Sequence, residues 1–158
     1  VKVASGVSFI ATANIGTEYT STRVLDRALL DRFEVIEVDI LSKDREHSLL
    51  GKRFGEKVED GLLEAVADIA DVTRKEWRSD EGKLSTMIST RMTVRVCELL
   101  ADGFTLEEAS EVGILPFFDA SGGADSERLF VKQVIQKHLG TADEDIFNVG
   151  EEEVKEEY

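Results

Sequence analysis

Residues 9–33 read FIATANIGTEYTSTRVLDRALLDRF, an apolar start that ends in Thr12-Ala13-Asn14 and gives way to three arginines, Arg23, Arg27 and Arg32, around a short helical run from Leu25 to Asp31. The run Val7-Phe9-Ile10-Ala11 is short and bounded by polar residues, which predicts a buried strand of a parallel sheet. In such sheets ligands gather beyond the carboxyl ends of the strands, where Asn14 would stand. Phe33 to Ile40 alternates apolar and acidic side chains, the pattern of a second strand at or near a sheet edge. Two strands cannot enclose a core, so both would need further strands beside them.

After Ile40 the period changes from two to that of a helix. Ser42 is placed to cap a helix running to about Phe54, with Gly55 ending it, and Leu62, Val66, Ile69, Thr73 and Trp77 recur at helical spacing in a longer one. Ser79-Asp80-Glu81-Gly82 is a polar break. Ser89 or Thr90 can cap the next helix, which stops at Gly103, and Thr105-Leu106-Glu107-Glu108 forms a capping box for another. A last helix is predicted from Ser126 to Leu139, closed by Gly140, with Phe117 and Phe118 packing beneath the connection before it.

The Phe-Ile-Ala-Thr-Ala-Asn strand resembles the sensor 1 strand of AAA+ ATPases, and Leu25-Asp26-Arg27-Ala28-Leu29-Leu30-Asp31-Arg32-Phe33 resembles the segment that carries their arginine finger, with Arg27 where that pattern has proline. Arg91, at the start of a lid helix, matches the sensor 2 arginine. The resemblance implies an α/β fragment, the end of a P-loop-type parallel sheet at residues 1–41, followed by a mostly helical lid at 42–140 and an acidic tail at 141–158. It is similar to the branch holding MoxR-like proteins, cobaltochelatase small-subunit-like ATPases and dynein-related ATPases. These form homo-oligomeric rings and remodel protein partners, some bearing a von Willebrand A-type domain, at the expense of ATP with Mg2+.

The implied roles have a physical basis. Hydrolysis in line needs a positioned water and cations that offset charge on the phosphoryl oxygens. A neutral amide such as Asn14 can orient that water without adding negative charge. Arg32 would face a neighbouring subunit's nucleotide, with Arg23 and Arg27 as competitors for the same task, and its guanidinium suits bidentate phosphate contact. Arg91 would reach the phosphates of its own subunit, helped by the partial positive charge of a helix N-terminus. Arg95, one turn on, reads as a surface partner of Glu98.

The sequence has no GxxxxGK[ST] phosphate loop and no hydrophobic strand ending in Asp-Glu, and Val1 stands almost directly before the sensor strand. The expectation is therefore the C-terminal portion of an ATPase, inactive by itself. Two alternatives remain open, a non-catalytic protein-interaction module and a DNA-associated AAA+ loader. A net charge of −14 over 158 residues weighs against the latter, because nucleic-acid binding depends on clustered Lys and Arg. Half of that charge lies in residues 141–158, where eight acidic residues face one lysine. One cysteine excludes an internal disulfide, and Cys97 sits in an apolar helical run as a core residue. His47 and His138 fall in charged helical stretches far apart in the chain, a poor start for a metal cluster. No apolar run approaches the roughly 20 residues that span a bilayer, and the expected location is cytoplasmic.

Overall fold

The computed structural model describes residues 3–13, 28 and 31–139, and the chain divides between Asp39 and Ile40 into two units. In the first unit the expected sheet is overturned. Among the described residues there is no β-strand, and both Val7–Ala11 and the stretch from Glu34 to Asp39 lack regular secondary structure. Phe9 is 70% exposed and Ile10 94%. Val35 and Ile36 would point to opposite faces of a strand, yet they are 62% and 82% exposed, so neither face is covered. The physical reason is that alternation sets which side chains share a face but supplies no partner for the backbone. A strand exists only through the N–H and C=O groups of a neighbour. Asn14, Arg23 and Arg27 lie outside the described residues, as does most of the short helix expected from Leu25 to Asp31.

The second unit is helical. It contains α1 (Lys43–Phe54), α2 (Asp60–Arg78), α3 (Thr90–Ala101), α4 (Leu106–Gly113) and α5 (Glu127–Gln136), with 3-10 turns at Leu115–Phe117 and Gly123–Asp125. Their ends follow local chemistry. Ser42 takes the extended backbone of an N-cap before α1, although its hydroxyl makes no capping bond. Ser89, not Thr90, caps α3 by accepting from the Met92 N–H. At α4 the Thr105 hydroxyl accepts from the Glu108 N–H while the Glu108 carboxylate accepts from the Thr105 N–H, a reciprocal box that holds the Glu108 pKa below the ordinary glutamate value. Ser126 caps α5 through the Leu129 N–H.

The longest helix, α2, lies against α1, α3 and α5, while α3 also meets α1 and α4. Leu63, Val66, Ala67 and Ala70 form the buried stripe of α2, matched by Leu50 of α1, Val96 and Cys97 of α3, and Val131 and Ile135 of α5. This is the 3.6-residue period turned into a core. The two phenylalanines of the connection part company, because Phe118 is buried and Phe117 is 62% exposed. Glu127 ties the loops together, its carboxylate accepting the backbone N–H groups of Ser85 and Asp119. Burial works against that carboxylate, but these donors outweigh it and keep its pKa lowered.

Two glycines are required by geometry. Gly103 has φ +96 at the end of α3, where its N–H donates to Leu100 O and the Phe104 N–H to Leu99 O, a Schellman closure. A Cβ on Gly82 would stand 2.0 Å from the Glu76 carbonyl oxygen at the end of α2. Gly103→Ala meets no neighbour and should cost only the left-handed penalty, about 1–2 kcal/mol. Gly82→Ala forces backbone apart and should cost more. Urea unfolding of both variants checks the order, and a smaller loss at Gly82 would contradict it.

Candidate functional site

Arg91 is the second residue of α3 and is exposed, its guanidinium making no hydrogen bond or ion pair to any described residue. Arg95, one turn later, is bound to Glu98 at 3.4 Å, the surface pair expected from the spacing. Thr90 and Thr93 stand on the other side of this first turn, and they face a buried charge.

That charge is Glu46 of α1, fully buried and paired with Arg74 of α2, itself 4% exposed. Arg74 Nη1 donates to Glu46 Oε2 at 3.0 Å and to the Leu41 carbonyl at 3.1 Å, while Nε donates to the Ile88 carbonyl at 2.9 Å. Nη2 lies 3.5 Å from the Thr90 hydroxyl. The carboxylate is satisfied from α3, since Thr90 Oγ1 donates to Oε2 at 3.0 Å and Thr93 Oγ1 to Oε1 at 2.5 Å. Four further groups, the Leu41 and Ile88 carbonyls and the Thr90 and Thr93 hydroxyls, thus meet at one ion pair. Burying two charges is costly, and the arrangement persists because nearly every donor and acceptor is used.

The sequence carries a signal for this hub. Arg74 continues the stripe Leu63, Val66, Ala67, Ala70 at helical spacing, and Glu46 precedes Leu50 and Phe54 at intervals of four. A charge on an apolar face needs a partner across the core. The cations that resemble phosphate ligands lie elsewhere.

Of those, Arg32 lies in the first unit, exposed, with Nη1 donating to the Ala28 carbonyl at 2.6 Å. Asn14 falls outside the described residues. The structure therefore describes Arg32 in one unit and Arg91 in the other.

A second polar cluster forms around Asp68 of α2. Asp68 binds Lys43 Nζ at 2.7 Å and lies 3.2 Å from His138 Nε2, beside a 320 Å³ cleft lined also by Gly61, Glu64 and Ala65. The hydrogen bond from Lys43 holds the Asp68 carboxyl below its usual range and raises the Lys43 ammonium in turn. His47 pairs with Asp60 at 2.8 Å, so each histidine of the chain rests against an α2 aspartate. Cys97 is buried, and burial, with the Glu46 carboxylate nearby, pushes its thiol up to about 12. Such a thiol is not a nucleophile at neutral pH. Among the described residues no three His, Cys, Asp or Glu side chains are grouped to hold a metal, and no helix is long and apolar enough to cross a membrane.

No family model matches the chain. It is 37% identical over 109 residues to a Thauera aromatica protein named "Putative chaperone BssE", the match covering 69% of this chain and 36% of that protein. The chain thus spans little more than a third of the length of the curated relative it matches.

Removing one partner of the buried pair should leave the other charge stranded. Glu46→Ala is expected to destabilise the helical unit by about 3–5 kcal/mol, measured by denaturant unfolding; a loss below 1 kcal/mol would mean that Arg74 finds water. For Asp68, whose folded pKa is lowered, the associated stability is present at neutral pH and lost as pH falls through the folded value. Lys43→Met removes the cause of that shift, so its acid-unfolding midpoint should move to higher pH. An unchanged midpoint would contradict the assignment.

Proposed function

We propose that this chain supplies the helical lid of a cytoplasmic, ATP-driven protein-remodelling machine of the AAA+ class, with Arg91 as the lid residue that meets the phosphates of its own subunit. The proposal rests on the helical unit and requires no sheet from residues 1–41. The observation that carries it is Arg91 itself, an exposed guanidinium with no partner among the described residues, on the first turn of a helix whose register is fixed from behind by buried charge. The helix N-terminus adds favourable potential for an anion. The name of the relative, a chaperone, agrees with work on protein partners.

The residues present fit a phosphate more readily than a metal. Arg91 offers a planar fork suited to phosphate oxygens, whereas the described carboxylates form no group of three that would hold Mg2+. ATP and Mg2+ therefore belong to the proposal for the whole protein. Bound nucleotide would supply the free energy of remodelling, and the role of this chain's residues is to bind it and to report its presence to the lid. Asn14 would orient the attacking water, and Arg32 would complete a neighbouring subunit's site in a homo-oligomeric ring, once the Ala28 carbonyl releases its guanidinium. That single exposed hydrogen bond is worth about 0.5–1.5 kcal/mol, a small obstacle to such a swing. The partner is a protein, of which a von Willebrand A-type domain is one candidate.

A second reading, a non-catalytic interaction module, is favoured by one observation, the exposed apolar side chains of Phe9, Ile10, Ile36 and Val38. A DNA-associated loader draws no such support from a chain with 33 acidic and 19 basic residues.

In the full-length protein, Arg91→Ala should weaken MgATP binding about tenfold or more, as isothermal titration would show, because a phosphate contact made before the reaction acts on affinity. Arg32→Ala should leave affinity intact but lower hydrolysis by about 10³–10⁵, with activity regained when rings are mixed with a variant that keeps Arg32 and cannot hydrolyse its own nucleotide. Wild-type affinity for Arg91→Ala would overturn the lid reading, and equal losses of affinity and turnover for Arg32→Ala would overturn the role in trans.

A further inference from the structure

The first turn of α3 carries two kinds of side chain on opposite sides. Arg91 is exposed, while Thr90 and Thr93, one residue before and two after it, both donate to Glu46. The same carboxylate oxygen that accepts from Thr90 accepts from Arg74, and Arg74 also holds the Ile88 carbonyl immediately before the cap. A helix end is ordinarily its least fixed part, since the first N–H groups lack intrahelical acceptors. Here that end is bound through three side-chain bonds to groups in α1 and α2. The other hydrogen bond of Arg74, to the Leu41 carbonyl, fixes the chain two residues after the boundary between the units.

We propose that the Glu46–Arg74 pair is the positioning element for Arg91, acting through Thr90 and Thr93, so that the place of the Arg91 guanidinium is set by buried charge and not by the surface helix alone. This rests on the reading of Arg91 as a phosphate-binding residue and extends it inward. Arg74 and Glu46 are positioning residues with no access to a ligand, being 4% and 0% exposed. An arginine side chain has many rotamers, and fixing the backbone that bears it lowers the entropy lost when it grips an anion. The hydroxyls are suited to this task because they join α3 to the pair without adding charge. A threonine at both positions, three residues apart, puts both on one side of the helix.

Truncating Glu46 or Arg74 risks unfolding the unit, so the decisive variant is Thr90→Val, which keeps shape and leaves the ion pair in place. Hydrogen exchange on this chain should show the Met92 and Thr93 amides exchanging about tenfold faster in Thr90→Val, with those of Val131 to Ile135 in α5 unchanged and Thr90→Ser restoring the original rate. In the full-length protein, MgATP titration of Thr90→Val should show affinity lowered about tenfold, and the double variant Thr90→Val with Arg91→Ala should bind no more weakly than Arg91→Ala alone. If Arg91→Ala binds MgATP as the wild type does, the phosphate role of Arg91 fails and the positioning role falls with it. If Arg91→Ala binds weakly while Thr90→Val is unaffected, or if the two losses add, Arg91 keeps its role and the positioning role alone is overturned. Unchanged exchange at Met92 and Thr93 overturns it as well.

Discussion

The helical unit depends on one buried pair of opposite charges. Glu46 and Arg74 come from helices that already pack against one another, with Leu50 and Leu63 in the same core, yet apolar packing does not dictate the sequence positions at which helices meet. A carboxylate and a guanidinium with named partners do. Because Arg74 uses Nε and Nη1 on the Ile88 and Leu41 carbonyls as well as on Glu46, shifting α2 by one residue would break bonds to both connections as well as to α1. The desolvation cost is offset locally, and the return is a specific arrangement of α1, α2 and α3.

Arg91 acquires its setting from this arrangement. On a lone amphipathic helix it would be one more exposed cation among the chain's 19. Two threonines that face inward make the difference, since they tie its own turn to the buried carboxylate. Nearer the middle of α2, Asp68 repeats the theme with weaker means, a half-buried contact joining Lys43 of α1 and His138 after α5. Thus α2 acts as a spine with one polar fastening set within its apolar stripe, at Arg74, and another at Asp68.

The helices were legible because their signals are local. Ser42, Ser89, Thr105 and Ser126 mark starts, and Gly55 and Gly103 mark ends, each by what its own atoms can do for the neighbouring backbone. The absence of a sheet was not legible, because the signal of a strand is only half local. Phe33 to Ile40 shows the alternation of a strand, but pairing is a property of two segments, and no strand is found among the described residues. The place of Arg91 on the first turn of a helix was legible from the Ser89 cap. Glu46 and Arg74 were not singled out, because each sits among charges that look solvated; recognising them requires laying two apolar stripes side by side and noticing that each has one charged residue, opposite in sign.

The exposed apolar side chains of the first unit have a further consequence for how this chain behaves as a solute. Phe9, Ile10, Ile36 and Val38 offer surface that water would rather not wet, and copies of the chain could hide it against one another. Opposing this is a net charge of −14, whose repulsion reaches about one Debye length, some 10 Å at 0.1 M salt and 3 Å at 1 M. The balance between stickiness and repulsion is thus set by the medium as much as by the fold. Dilute buffer keeps the molecules apart, whereas concentrated salt both shortens the repulsion and, with ions such as sulfate, strengthens the drive to bury apolar surface.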